Sequence, residues 1–153
     1  MSNETLPRPD TCNCLAVRQA ARNITQYYDR LLAPAGLRTT QFSILAKLKR
    51  WGPLTIKTLA RDLVMDRTTL GRNILPLERE GLITVASPMA DRRIKELALT
   101  QAGAERLRGA MERWAEAQAG FETAFGSSRT TELRALLQAA AATDLGAATA
   151  ELS

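Results

Sequence analysis

Two thiols, one missing residue type and a run of arginines and threonines bound the chemistry open to this sequence. Cys12 and Cys14 are its two cysteines, and it contains no histidine. The commonest general base and the commonest metal ligand are therefore absent. A Cys-x-Cys pair alone leaves zinc short of its usual four ligands, so no metal site and no cofactor are expected. The spacing is not the Cys-x-x-Cys of thiol–disulfide oxidoreductases, and no strand–helix–strand pattern surrounds it. No glycine-rich phosphate loop is present. A cysteine-dependent redox enzyme built on Cys12 and Cys14 is the reading this class offers, and the residues argue against it. The expectation is a protein that is not an enzyme.

The second group is Arg67, Thr68, Thr69 and Arg72, followed by Asp91-Arg92-Arg93. Threonine can hydrogen-bond a base edge or meet a thymine methyl, and arginine can hold guanine with two bonds. Charge distribution agrees with a nucleic-acid partner. Residues 36–103 hold 12 Lys+Arg against 6 Asp+Glu, while the whole chain has a net charge of +5. All of the positive excess therefore lies in the middle of the chain, as for a surface that meets an anion. A solvated basic face is the simpler alternative.

These side chains need elements to aim them. Leu15, Ile24, Tyr28, Leu31 and Leu32 mark a helix over about 13–33, closed by Pro34 and Gly36. Thr39 or Thr40 caps a second helix carrying Phe42, Leu45 and Leu48, which stops at Trp51-Gly52-Pro53. Thr55 opens a short third helix with Ile56, Leu59, Ala60 and Leu63. After Val64-Met65, Asp66 caps a fourth. There Leu70, Ile74 and Leu77 form the core stripe, leaving Arg67, Thr68, Thr69, Gly71 and Arg72 outside it. Pro76 should kink or tighten this helix, and Gly81 ends it.

Residues 82–85 are β-rich, 87–91 read as a turn, and Ile94, Leu97 and Leu99 mark a return strand. The result is a two-stranded wing with a basic tip. Thr100 caps a long helix to about Phe125, with Leu107, Met111, Trp114 and Phe121 as its apolar positions. A final Ala- and Leu-rich helix covers about 130–148. The fold class expected is mainly α: a winged helix-turn-helix flanked by further helices. In such a unit one helix enters the major groove, and an arginine on the wing senses the minor groove. Thr39 and Thr55, at helix starts, suit phosphate contact, with simple capping as the competing role. A helical interaction module that no longer bound DNA would lose the basic surface, which this chain keeps.

Leu77-Glu78-Arg79-Glu80-Gly81-Leu82-Ile83, then Asp91-Arg92-Arg93, then Leu97-Ala98-Leu99-Thr100-Gln101-Ala102-Gly103 resemble the MarR family of prokaryotic transcriptional regulators. The resemblance extends over about residues 13–148. It implies one domain over 1–153, with a flexible tail at 1–12 and a winged-helix DNA-binding region at 36–103. Dimerisation helices would occupy 13–35 and 104–150. It implies a homodimer on a pseudo-palindromic operator in duplex DNA, repression more often than activation, and Arg92 or Arg93 in the minor groove. Asp91 would orient one of these arginines. The last helix, with Leu133, Leu136, Leu137, Ala140, Ala141 and Leu145, is apolar over more than one narrow stripe. It therefore needs more than one packing partner.

Two switches are open. The resemblance implies a small aromatic ligand, and Tyr27, Tyr28, Phe42, Trp51, Met111 and Trp114 are candidates, with plain core packing as the alternative for each. The other is a thiol-based redox-sensing repressor using Cys14, with Cys12 nearby, since a helix N-terminus favours a thiolate. Organic-hydroperoxide-sensing members carry a cysteine where Cys14 stands and a tyrosine where Tyr28 stands; Arg18 occupies the place of their second tyrosine. No stretch has the length of an apolar membrane span. The polar residues 1–10 lack a signal-peptide core, so a cytoplasmic protein without membrane contact is expected.

Overall fold

The computed structural model describes residues 8–87 and 91–147. Among them, six α-helices and three short strands follow in order. They are α1 Asn13–Leu32, α2 Thr39–Trp51, β1 Leu54–Thr55, α3 Ile56–Asp62 and α4 Arg67–Arg79. Then come β2 Ile83–Ala86, β3 Glu96–Leu99, α5 Gln101–Phe125 and α6 Ser127–Ala142. The mainly α winged-helix fold is the one the sequence pattern called for. Positions 88–90 of the expected turn, 1–7 of the tail and 148–150 of the last segment lie outside the described residues.

One apolar core joins the elements. Leu45 and Leu48 of α2, Leu59 of α3, Leu70, Ile74 and Leu77 of α4, and Leu97 of β3 are all buried together. Burying a leucine or isoleucine side chain is worth about 2 kcal/mol, so the i, i+4, i+7 stripe on α4 fixes which face of that helix remains outside. Asp66 caps α4: its Oδ1 accepts the Thr69 N–H at 2.8 Å and its Oδ2 the Thr69 hydroxyl at 2.8 Å. At the other end Gly81 has φ +70°, a conformation that costs glycine little. The Gly81 N–H donates to the Glu78 carbonyl at 3.0 Å and the Leu82 N–H to that of Leu77 at 2.9 Å. This pair of bonds closes the helix as a Schellman motif. The helix runs unbroken through Pro76, whose carbonyl accepts the Glu80 N–H at 3.0 Å.

β2 and β3 pair as the expected two-stranded wing, and the sheet that contains them extends beyond it. This sheet has three strands in the order β1-β3-β2, both pairs antiparallel, with Leu54 opposite Leu97 and Ile83 opposite Leu99. A two-residue strand is too short to show alternation, and β1 exists because central β3 needs a partner on its second edge. The return strand begins at Glu96, and Ile94, expected to open it, stands outside at 42% exposure.

Three further boundaries move. The tail is built from residue 9 onward: Pro9–Thr11 forms a 3₁₀ turn, and Cys12 is the N-cap of α1. Neither Thr39 nor Thr40 caps α2; Arg38 does, with its N–H bonded to Gln41 Oε1 at 3.0 Å. α6 starts at Ser127 and ends at Ala142.

α5 packs against α1, α2 and α6, and its start is fastened to the end of α4. Thr100 Oγ1 caps α5 by accepting the Gly103 N–H at 3.0 Å, and it donates to the Gly81 carbonyl at 2.6 Å. The Thr100 N–H donates to the Leu82 carbonyl at 3.1 Å. A Cβ on Gly103 would lie 2.0 Å from that same carbonyl oxygen, so only glycine allows this approach. Arg106 adds an ion pair to Glu80 at 3.1 Å.

Candidate nucleic-acid interface

α3 and α4 are joined by a tight connection in which Val64 takes φ +52° and is 71% exposed. A β-branched residue in this region is strained, and the Met65 N–H bond to the Ala60 carbonyl at 2.8 Å holds the turn. Thr55 caps α3, its Oγ1 accepting the Thr58 N–H at 3.1 Å. On the outer face of α4, Arg67, Thr68, Thr69 and Arg72 are all exposed. Thr69 is engaged in the Asp66 cap, and these bonds hold the Asp66 carboxyl below its ordinary range, the Thr69 backbone N–H foremost. The side chains of Thr68 and Arg72 make no bond among the described residues and are free to meet a groove.

On the wing, Asp91 chooses between the two arginines. Its Oδ1 accepts the Arg93 backbone N–H at 3.0 Å and the Arg93 Nε–H at 3.1 Å, and its Oδ2 takes Nη2 at 3.4 Å. The Arg93 guanidinium is the main cause of a lowered Asp91 pKa, followed by the Arg93 backbone N–H. An exposed pair of this kind adds little stability; its effect is orientation. Arg92 is exposed, and its guanidinium makes no bond among the described residues.

α4, the start of α3 and the wing then converge. Thr55, Lys57, Arg67, Arg93 and Lys95 line one cleft of about 510 Å³ with no carboxylate in its walls. Lys57, Arg67 and Lys95 face a common space beside the Asp91-paired Arg93, and a phosphate placed among them relieves their mutual repulsion. Lys57 and Lys95 escaped the sequence reading. Their signal was position: Lys57 follows the Thr55 cap by two, and Lys95 follows the Asp91-Arg92-Arg93 run. Thr39, in contrast, is turned inward: its N–H and its hydroxyl both donate to Asp29 Oδ1 of α1, at 2.7 Å each. Its expected phosphate contact would have to displace a carboxylate.

The aromatic candidates are not brought together. Phe42 and Trp114 stack in the interior with centroids 5.9 Å apart. Trp51 is 63% exposed, with the Arg50 guanidinium 5.2 Å from its ring centroid. Met111 is 44% exposed. Tyr27 meets Tyr28 edge-on. Of the six candidates, Tyr28 alone lines the cavity of about 400 Å³ between α1, α5 and α6, together with Phe121, Leu133 and Leu137. Its hydroxyl donates to Gln118 Oε1, and burial raises its pKa.

Both cysteines are exposed, and Cys12 Sγ accepts the Leu15 N–H at 3.4 Å. Cys14 and Tyr28 lie on the same straight element, α1. Fourteen residues of helix separate them by about 21 Å, so a single subunit does not place this tyrosine beside its own Cys14.

The arrangement has close relatives. The model of the MarR family matches residues 37–95. The chain is 36% identical to the M. tuberculosis transcriptional regulator MosR, with a TM-score of 0.75 over 89% of this chain and 100% of that one. MosR in complex with DNA gives 38% identity and a TM-score of 0.73 over 84% of this chain and 96% of that one. The organic hydroperoxide resistance transcriptional regulator of Bacillus subtilis (strain 168) is 30% identical over 91 residues, or 60% of this chain, which spans 62% of that relative's length. Bordetella bronchiseptica BpsR shares the fold, with a TM-score of 0.79 at 17% identity over 90% of this chain and 99% of that one. With its winged helix, its basic cleft and a relative matched along its whole length, this chain belongs to the MarR family of transcriptional regulators.

Proposed function

We propose that the protein is a cytoplasmic homodimeric repressor that binds a pseudo-palindromic operator in duplex DNA. Thr68 and Arg72 on α4 read base edges in the major groove. Arg92, whose guanidinium makes no bond among the described residues, enters the minor groove, while Asp91 aims Arg93 at the backbone. Thr55, Arg67, Lys57 and Lys95 hold phosphate, and Thr69 supports the reading face through the Asp66 cap. The cleft that joins α3, α4 and the wing with four cations and no carboxylate carries this reading. The exposed Leu136 and Leu137 of α6 support a second copy as the covering partner.

A salt titration of binding to random duplex tests it. Affinity should fall steeply as salt rises, because each neutralised phosphate releases counterions. Flat or absent binding would sink the reading. Arg92→Ala with Arg93→Ala should lose at least tenfold in affinity with folding intact; unchanged binding would remove the wing from the mechanism.

Release by a small aromatic ligand is the favoured regulation, supported by the Tyr28-lined cavity. BpsR is a regulator whose DNA binding is controlled by 6-hydroxynicotinic acid. A second reading, thiol sensing, is favoured by the exposure of Cys14 on the first turn of α1 and by the similarity to the B. subtilis hydroperoxide-resistance regulator. A hydroperoxide would oxidise the thiolate to a sulfenic acid and leave as the alcohol. Equal operator release by wild type and Cys14→Ser after cumene hydroperoxide would dispose of it.

A further inference from the structure

We infer that Thr68, Gly71, Arg72 and Leu75 on the outer face of α4 form a socket for the C5-methyl group of one thymine per half-site, with Gly71 as its floor and Leu75 as its wall; this rests on the proposed reading of the major groove by α4. Residues at i, i+3, i+4 and i+7 of a helix surround one point on its surface, the same four-cornered hole that receives a knob where helices pack. All four residues are exposed. Leu75 is 46% exposed, whereas Leu70 and Leu77 of the same helix are buried. The other two corners bring a methyl group, on Thr68, and an apolar stem, on Arg72.

Gly71 points outward. Glycine weakens a helix interior relative to alanine, so its presence there needs a cause. At Gly103 and Gly120 the fold supplies one, because a Cβ would stand 2.0 Å from a neighbour. At Gly71 it supplies none: φ is not positive, and a Cβ would meet no neighbouring atom within 4 Å among the described residues. Gly109 of α5 is equally open, but its neighbours one turn away, Glu105, Arg106, Glu112 and Arg113, are all charged. Openness beside an exposed leucine is peculiar to Gly71. The missing Cβ lets an outside surface come close to the backbone. Arg67, Arg72 and Arg79 are exposed along the same helix, and Arg67 also lines the cationic cleft, so that surface is anionic. A second copy docked here would set the same arginines against one another. Duplex DNA is anionic, and the apolar group it presents in the major groove is the thymine methyl.

Competition binding tests this on a duplex that the wild-type chain selects from a pool of random sequences. Each thymine of that duplex is replaced in turn by deoxyuridine, which pairs alike but lacks the methyl. At one thymine per half-site the replacement should weaken wild type about fourfold, the worth of one buried methyl group. Leu75→Ala should bind the two forms alike. Gly71→Ala should raise the urea midpoint, because alanine is the better helix former and its Cβ has room, and yet lose the preference for thymine. Wild-type binding that ignores every replacement overturns the inference and leaves the DNA-binding reading standing. A thymine preference kept in full by either variant also overturns it. If Leu75→Ala turns a dimer into a monomer in sedimentation, a second copy covers this face and the inference fails. A chain that binds no duplex overturns the proposed function, and the socket with it.

Discussion

Asp29 of α1 and Thr39 of α2 share a single carboxylate oxygen: Oδ1 receives both the backbone N–H and the hydroxyl of Thr39 at 2.7 Å. A residue on one helix thereby does for the next what an N-cap side chain ordinarily does. Asp29→Ala should lower the stability by about 1 kcal/mol, the worth of a cap, and loosen the α1–α2 joint. Urea denaturation checks it, and an unchanged midpoint would show that the shared oxygen contributes nothing.

Asp66 caps α4 and has its pKa held below the ordinary 3.8. A folded-state value below the unfolded one makes a contribution that is complete above the unfolded pKa and disappears as pH falls through the folded one. The stability of wild type should therefore decline in acid below about pH 4 more steeply than that of Asp66→Asn, whose side chain does not titrate. Parallel acid-denaturation curves would contradict this.

Lys57 and Lys95 should act on phosphate alone. Alanine at either position is expected to weaken operator and random duplex by the same factor. Each should reduce the slope of log affinity against log salt by about 0.9. A preferential loss on the operator would make them base readers instead.

At Gly120 a Cβ would stand 2.0 Å from the Tyr27 hydroxyl oxygen. Gly120→Ala should cost about 1–3 kcal/mol by overpacking the α1–α5 contact, and Tyr27→Phe in the same chain should return part of it. The double-mutant cycle checks this, since additive costs would mean the two positions do not meet.

The recognition unit was legible because its signals are local. Asp66 announces its helix, Leu70, Ile74 and Leu77 set the face, and Asp91-Arg92-Arg93 follow a β-rich run. What failed depends on distant chain. β1 is defined by its pairing with β3, the Thr39 donors are claimed by a residue on another helix, and the cavity exists only where three helices diverge. Met111 misled for a different reason. The buried line on α5 runs through Leu107, Ala110 and Ala117, small residues that admit neighbouring helices, and Met111 sits one position off it at 44% exposure. Hydrophobicity favoured the larger side chain, whereas packing favoured the alanines.

The bonds from Thr100 and Arg106 to the end of α4 make α4 and α5 parts of one rigid lever. With 25 residues, α5 is a rod about 37 Å long, and α4, with 13, is about 20 Å. A sideways shift of about 2 Å at the Phe125 end is a tilt of about 3°, which swings the far tip of α4 by about 1 Å on this geometry. That is enough to take a two-pronged arginine contact out of hydrogen-bonding range. A cavity bounded by the far half of α5 is thus placed at the long end of the arm, where a small wedge produces the largest turn of α4.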